Sequence, residues 1–209
     1  MRQEEEDNVR DKILDPEQFD LLQAVCPDYL QSINLVAYQT GMRRGEILDL
    51  TWDRVDLKGG FIRLKGADTK TKHGRIIPLS LSGELPHLFR KLQEVRVLRD
   101  SHVFLHNDKP IRCFKDAFRR ACLQVGIEGF RFHDFCHTTV TNMRRAGIDR
   151  LTIMEISGHK TMSCFTRYNS FREADLNRAG HQNNTYLTLA HQTTPTSRSH
   201  LQTVNHLTS

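Results

Sequence analysis

Phe61-Ile62-Arg63-Leu64 and Arg75-Ile76-Ile77-Pro78-Leu79, joined by the polar run 65–74, decide the fold class of this 209-residue chain. Each is a short apolar run, and the residues between them include Gly66, Asp68 and Gly74, the turn chemistry expected of an antiparallel hairpin. The connection also holds Lys65, Lys70, Lys72 and His73, so the hairpin is basic. Extending the reading back to Val55 gives a small antiparallel sheet of three strands.

On either side of 55–79 the text is helical. Asp15 has N-cap chemistry, Pro16 suits the first helical position, Phe19, Leu22 and Cys26 recur at helical spacing, and Pro27 ends the segment. A second helix over 29–39 gathers Leu30, Ile33, Val36 and Ala37 on one face until Gly41 breaks it, and a third spans 43–50. Helical patterns return at 84–99, 112–125, 134–146, 150–157 and 161–168. The fold class is α+β, mainly α: a helical bundle carrying one small three-stranded antiparallel sheet.

A hydrophobic content of 38% supports one folded unit with polar ends. Glu4, Glu5, Glu6 and Asp7 make residues 1–14 an acidic leader, expected to be disordered. From 179 to 209 the composition turns to Gln, Asn, Thr, Ser and His, which reads as a disordered tail, leaving 15–178 as the domain. With 30 Lys and Arg against 25 Asp and Glu, the net charge of +5 favours a polyanionic partner. Five cysteines without a CxxC pair argue against a secreted disulfide framework and for a reducing cytoplasm. No run approaches the roughly 20 apolar residues of a membrane span, and no signal-like segment opens the chain, so no membrane partner is expected.

Four segments carry chemistry. They are Thr40-Gly41-Met42-Arg43-Arg44-Gly45-Glu46-Ile47-Leu48, then Thr69-Lys70-Thr71-Lys72-His73-Gly74-Arg75-Ile76-Ile77-Pro78-Leu79, then His133-Asp134-Phe135-Cys136-His137-Thr138, and finally Gly158-His159-Lys160 with Tyr168. In this order and spacing the chain, from about Asp15 to Phe171, resembles the catalytic domain of tyrosine recombinases, the phage-type integrases. The resemblance implies a domain that cuts and rejoins double-stranded DNA without a metal or other cofactor. It also implies a homo-oligomer assembled on DNA from a chain that is monomeric in free solution. The N-terminal core-binding domain usual in such recombinases is not accommodated, which reads as a fragment or a truncated product.

By the same resemblance Tyr168 is the nucleophile that forms a 3′-phosphotyrosyl link, and Arg43 grips two phosphate oxygens with a planar, permanently charged fork. Glu46, three residues further along a helix, braces Arg43. Lys70 is the general acid for the leaving 5′-hydroxyl, with Lys72 and Lys65 as competitors, while Arg75 is structural rather than catalytic. His133 assists proton transfer and His159 donates to a phosphate oxygen; His137 is structural. The pattern departs from the family at Cys136, which stands where the second arginine is expected and offers neither charge nor a fork of donors. Loss of one preorganised donor costs on the order of 10²–10³ in rate, so cleavage is expected to be crippled.

Two other readings remain open at this point. One is a DNA-binding module of the same fold that has lost catalysis through Cys136. The other is a metal site, because His133, Cys136 and His137 fall at i, i+3 and i+4 with Cys164 or His159 to complete four ligands. The recombinase resemblance already accounts for His133, Cys136, His137 and His159.

Overall fold

Asp15 opens the first helix as its chemistry requires. Its carboxylate accepts the Gln18 N–H at 2.8 Å while the Gln18 side chain accepts the Asp15 N–H at 3.2 Å, a reciprocal cap. The structure is a computed structural model that describes residues 12–69, 72–80, 82–97, 99–159 and 173–193. Helix α1 spans Pro16–Val25 and buries Phe19 and Leu22. Helix α2, Asp28–Thr40, buries the predicted stripe Leu30, Ile33, Val36 and Ala37 completely.

Gly41 then adopts φ +66°, the left-handed conformation that ends a helix without steric cost only for glycine. A Cβ there would also lie 3.4 Å from the Thr139 Cβ, so the missing side chain lets two helices approach. The third helix, α3, is only Arg44–Leu48, shorter than the 43–50 expected. The reason is tertiary. The Leu50 carbonyl accepts the Val103 N–H and the Trp52 N–H donates to the Ser101 carbonyl, so the backbone beyond Asp49 joins 101–103 instead of the helix.

The three strands are β1 Val55–Asp56, β2 Phe61–Leu64 and β3 Arg75–Pro78, antiparallel in the order β1-β2-β3. Ile62 faces Ile77 and Leu64 faces Arg75 across the β2–β3 register, and all four are buried. Period-two alternation therefore puts the Arg75 side chain on the core face next to Ile77. At the neck of the hairpin, a Cβ on Gly74 would come within 2.8 Å of the Leu64 carbonyl and one on Gly66 within 2.7 Å of the Lys72 carbonyl.

Helix α4, Glu84–Glu94, stops short of residue 99 where Val95, 72% exposed, has no apolar face to join. A small hairpin follows that the hydrophobic pattern does not announce, β4 Leu105–His106 with β5 Lys109–Pro110. Its Asn107-Asp108 turn has positive φ at both residues, which Asn and Asp tolerate. Helices α5 Lys115–Gln124, α6 Asp134–Arg145 and α7 Arg150–Ser157 complete this unit; α6 packs on α2 and α7, and α7 on β3.

Phe135 locks the rotation of α6. Its ring is fully buried, in edge-to-face contact with Phe19, Tyr38, Phe118, Phe130 and Phe132 at centroid distances of 5.2 to 6.3 Å. Residues 170–209 form a second unit, in which Glu173–Thr193 is a helix with its described side chains exposed. The composition of 179–209 predicts a disordered tail starting at 179, whereas the structure holds helix through Thr193 and divides the chain after Asn169. No proline interrupts 173–193, and Ala, Leu, Gln and Glu give the segment local helical preference despite its polarity. The expected helix over 161–168 lies outside the described residues, as do Lys70 and Tyr168.

Candidate active site

Arg43 precedes α3 as its N-cap residue, in extended backbone conformation, and Glu46 reaches back to it. The Glu46 carboxylate accepts the Arg43 N–H at 2.8 Å and Arg43 Nη1 at 3.0 Å. It also takes both ends of the Arg75 fork, Nη1 at 2.8 Å and Nη2 at 2.7 Å. Glu46 and Arg75 side chains are each 3% exposed, against 23% for Arg43. Burial works to raise the Glu46 pKa, but hydrogen bonds and charge from Arg75, aided by Arg43, outweigh it and hold the carboxyl below its ordinary range. One ionised carboxylate thus fixes two guanidinium groups.

The second anchor of Arg43 is remote in sequence: Nη2 donates to the Gly158 carbonyl at 3.2 Å. Gly158 caps α7 with φ +72°, and a Cβ on it would meet Arg75 Nη1 at 2.8 Å. The glycine before His159 is therefore required twice, by its backbone angle and by the guanidinium packed against it. These two contacts use one donor on each terminal nitrogen of Arg43, out of the five a guanidinium carries.

His159 follows directly, with Nδ1 at 2.7 Å from the buried Ser157 hydroxyl. Burial, then Arg43, His137, His133 and Arg75, lower its pKa to about 4, so the ring is neutral at pH 7. These guanidinium groups and rings reach it electrostatically from α6, β3 and the start of α3, which brings the separate sequence segments into one neighbourhood. On α6, the buried Asp134 accepts the Arg131 N–H at 2.7 Å and fixes the turn that presents His133, which is exposed. The His133 and His137 rings stand edge to face at 5.6 Å.

Cys136 belongs to the same neighbourhood. Burial pushes its thiol up to about 11, with Arg43 and Arg75 pulling the other way and Glu46 adding to the rise. The position expected for a second arginine thus faces Arg43 and Arg75 but holds a neutral, buried thiol. An open cavity of about 410 Å³ adjoins, with His73, Gly74, Arg75, Gly158 and His159 in its lining, so the base of the basic hairpin borders His159. Thr69 clasps this hairpin by donating its hydroxyl to the His73 carbonyl at 2.8 Å.

Of the five predicted site residues, the structure brings Arg43, His133 and His159 together; Lys70 and Tyr168 fall among residues it does not describe. Sequence reasoning anticipated the Arg43–Glu46 brace and missed that Arg75 completes it. The signal was available: Arg75 shares a strand face with Ile77, so a cation there must enter the core and find an acid. Nothing in the sequence marks the Gly158 carbonyl as the second anchor. No group of three His, Cys, Asp or Glu residues among those described could hold a metal ion, and Cys164, one of the ligands named for the metal reading, lies outside the described residues.

A mainly helical domain with this small antiparallel sheet has the architecture of tyrosine-recombinase catalytic domains. A crystal structure of XerA recombinase superimposes with a TM-score of 0.64 at 22% identity, covering 82% of this chain and 65% of that one. A lambda integrase dimer bound to a COC′ core site gives 0.62 at 19% identity, over 76% of this chain and 48% of that one. The phage integrase family profile matches residues 12–175, and the chain belongs to that family. Among curated relatives, the shufflon-specific DNA recombinase of Escherichia coli is 34% identical over 152 residues, 69% of this chain and 37% of the relative. The integrase of Salmonella phage P22 is 27% identical over 172 residues, 77% of this chain and 44% of the relative. The chain therefore spans less than half the length of these two proteins.

Proposed function

We propose that this chain is the catalytic part of a site-specific DNA recombinase that cuts and rejoins double-stranded DNA through Tyr168, working as a homo-oligomer on DNA. The observation that carries the reading is the meeting of Arg43, His133 and His159, drawn from three distant segments, in one positively charged neighbourhood. Such a site suits a phosphodiester, whose non-bridging oxygens gain charge as a nucleophile approaches.

In this reading the Tyr168 phenol oxygen attacks phosphorus, the bond to the 5′-oxygen breaks, and Lys70 protonates that oxygen as it leaves. Arg43, held by Glu46 and the Gly158 carbonyl, neutralises one or two phosphate oxygens. His159, neutral and held by Ser157, donates one hydrogen bond, and His133 helps the proton leave the phenol. The phosphotyrosyl link keeps the bond energy, so a 5′-hydroxyl from a second strand reverses the step and no external energy source enters.

Cys136 favours a second reading, a DNA-binding module whose chemistry has failed. Its thiol, with pKa near 11, is neutral at pH 7 and supplies no cation to the phosphate. A nicked suicide duplex, whose cleaved end diffuses away and traps the covalent intermediate, separates the two. A recombinase gives a protein–DNA adduct that disappears in Tyr168→Phe, and Cys136→Arg increases its rate by on the order of 10²-fold. Salt-sensitive binding without any adduct, in the parent and in Cys136→Arg, selects the module.

A further inference from the structure

Beside the candidate site, on the side of His133, lies a second cavity of about 580 Å³. Helix α5 builds much of it and explains its two characters. Phe114, Phe118 and Cys122 recur every four residues on the buried face, and with Ile127 and Phe130 they make an apolar floor. Phe132, only partly buried, stands edge-on to Phe114 and Phe118 at centroid distances of 4.8 and 5.5 Å. Lys115 and Arg119 each follow a floor ring by one residue and come out on the rim, where Arg44 and Arg131 join them. All four are exposed, the ion pairs among the described residues engage none of them, and no described Asp or Glu lines the cavity.

Four cations with no acid between them call for an anion, and Lys115 and Arg119, one turn apart on the same helix, repel each other in its absence. The floor makes a second demand, for an apolar and compact group. A cavity of this volume admits a single heterocyclic base. Paired DNA does not satisfy it, because the base faces of a duplex are stacked on one another and its grooves show only base edges. Cations that follow a backbone beside aromatic rings that receive bases are the features of a site for unpaired strands. Position agrees with chemistry. His133 lines this cavity and belongs to the candidate site, and Arg44, also in the lining, directly follows Arg43. A strand with one phosphate on Arg43 therefore has the cavity mouth beside it.

We propose that this cavity is a subsite for an unpaired nucleotide: the base enters against the apolar floor while Arg44, Lys115, Arg119 and Arg131 hold the phosphates around it. The assignment rests on the DNA reading above and adds the form that the DNA takes, an unstacked base next to the phosphate held by Arg43. Taking a base out of the duplex costs its stacking, and apolar contact in the cavity offsets part of that cost. The resulting preference is for unpaired over paired nucleotides, with little regard to sequence, because rings and phosphate contacts read no base edges.

The test uses the full 209-residue chain at low salt. Its probes are a blunt duplex, the same duplex with a single-stranded extension carrying 2-aminopurine, that duplex with an abasic extension, and the extended strand alone. The extension is expected to raise affinity about tenfold over the blunt duplex and to change the 2-aminopurine emission. The abasic extension, which keeps the phosphates and lacks the bases, is expected to lose most of that gain. Arg119→Glu, a change at an exposed position that the fold tolerates, is expected to remove the gain as well. Equal affinity for the intact and abasic extensions, or a gain undiminished in Arg119→Glu, overturns the subsite. A blunt duplex bound as tightly as the extended one overturns the subsite and leaves the DNA reading standing. Binding of the single strand with its emission change, but of no blunt duplex, supports the subsite and overturns the double-stranded reading instead. Binding of no probe overturns both.

Discussion

At Glu46 one carboxylate receives four hydrogen bonds and holds two arginines, and the energetic stakes follow from its burial. Removing the charge leaves Arg75 buried without its counter-ion, a change that costs about 3–5 kcal/mol. Glu46→Gln is therefore expected to lower thermal and denaturant stability by that amount and to weaken phosphate binding through a loosened Arg43, which chemical denaturation and duplex titration measure separately. Gly158→Ala should reproduce the second effect with a smaller loss of stability, because its methyl group displaces Arg75 from the same side. Cys136 and Cys113 offer a contrast. Exposed Cys113 should react with a thiol reagent at pH 7, while Cys136, buried with its pKa near 11, should react only on unfolding.

The elements that position these residues were largely legible in the sequence, and the exceptions have physical causes. The α1 cap, the α2 stripe and the β2–β3 hairpin were readable because local chemistry and tertiary packing agree there. The third helix was read too long because a pattern of apolar residues cannot show that 50–52 will pair with 101–103. The β4–β5 hairpin was missed because its strands are two residues each, too short for alternation to register, although Asn107-Asp108 is a turn signal. At this scale Phe135 is the keystone: truncation to Ala is expected to cost about 3–5 kcal/mol. Because α6 would lose its rotational register, the His159 titration should move with it, which an exposed-face truncation such as Leu123→Ala should not cause.

For the molecule as a whole, the sequence supplied the family and four of its motifs, but not how the site is held together. Arg43, His133 and His159 were named from resemblance; their proximity depends on Arg75 and Gly158, two contacts that cross more than a hundred residues or a strand face. Acid should expose this assembly. His159 titrates at about 4 in the folded chain and near 6.5 when unfolded, so the unfolded state binds more protons between those values. Its contribution to stability is complete above pH 6.5 and is lost as pH falls toward 4. Glu46, with a lowered pKa, adds a loss below about pH 4.5. Melting temperature should therefore fall on acidification in two overlapping stages, and Glu46→Gln should shrink the lower one, to which Asp56, Asp68, Asp100 and Asp149, also held below their ordinary range, contribute as well.

The measurement that bears most directly on the proposed grip of Arg43 and His159 on a backbone phosphate is the NMR titration of the His159 ring, run with and without saturating duplex DNA at low salt. A phosphate held against Arg43 offsets the positive field that depresses the ring, so the midpoint should move upward from about 4 on binding, and Arg43→Ala should abolish the movement. An unchanged midpoint with DNA demonstrably bound would contradict the account, because the backbone phosphate would then lie somewhere other than between Arg43 and His159.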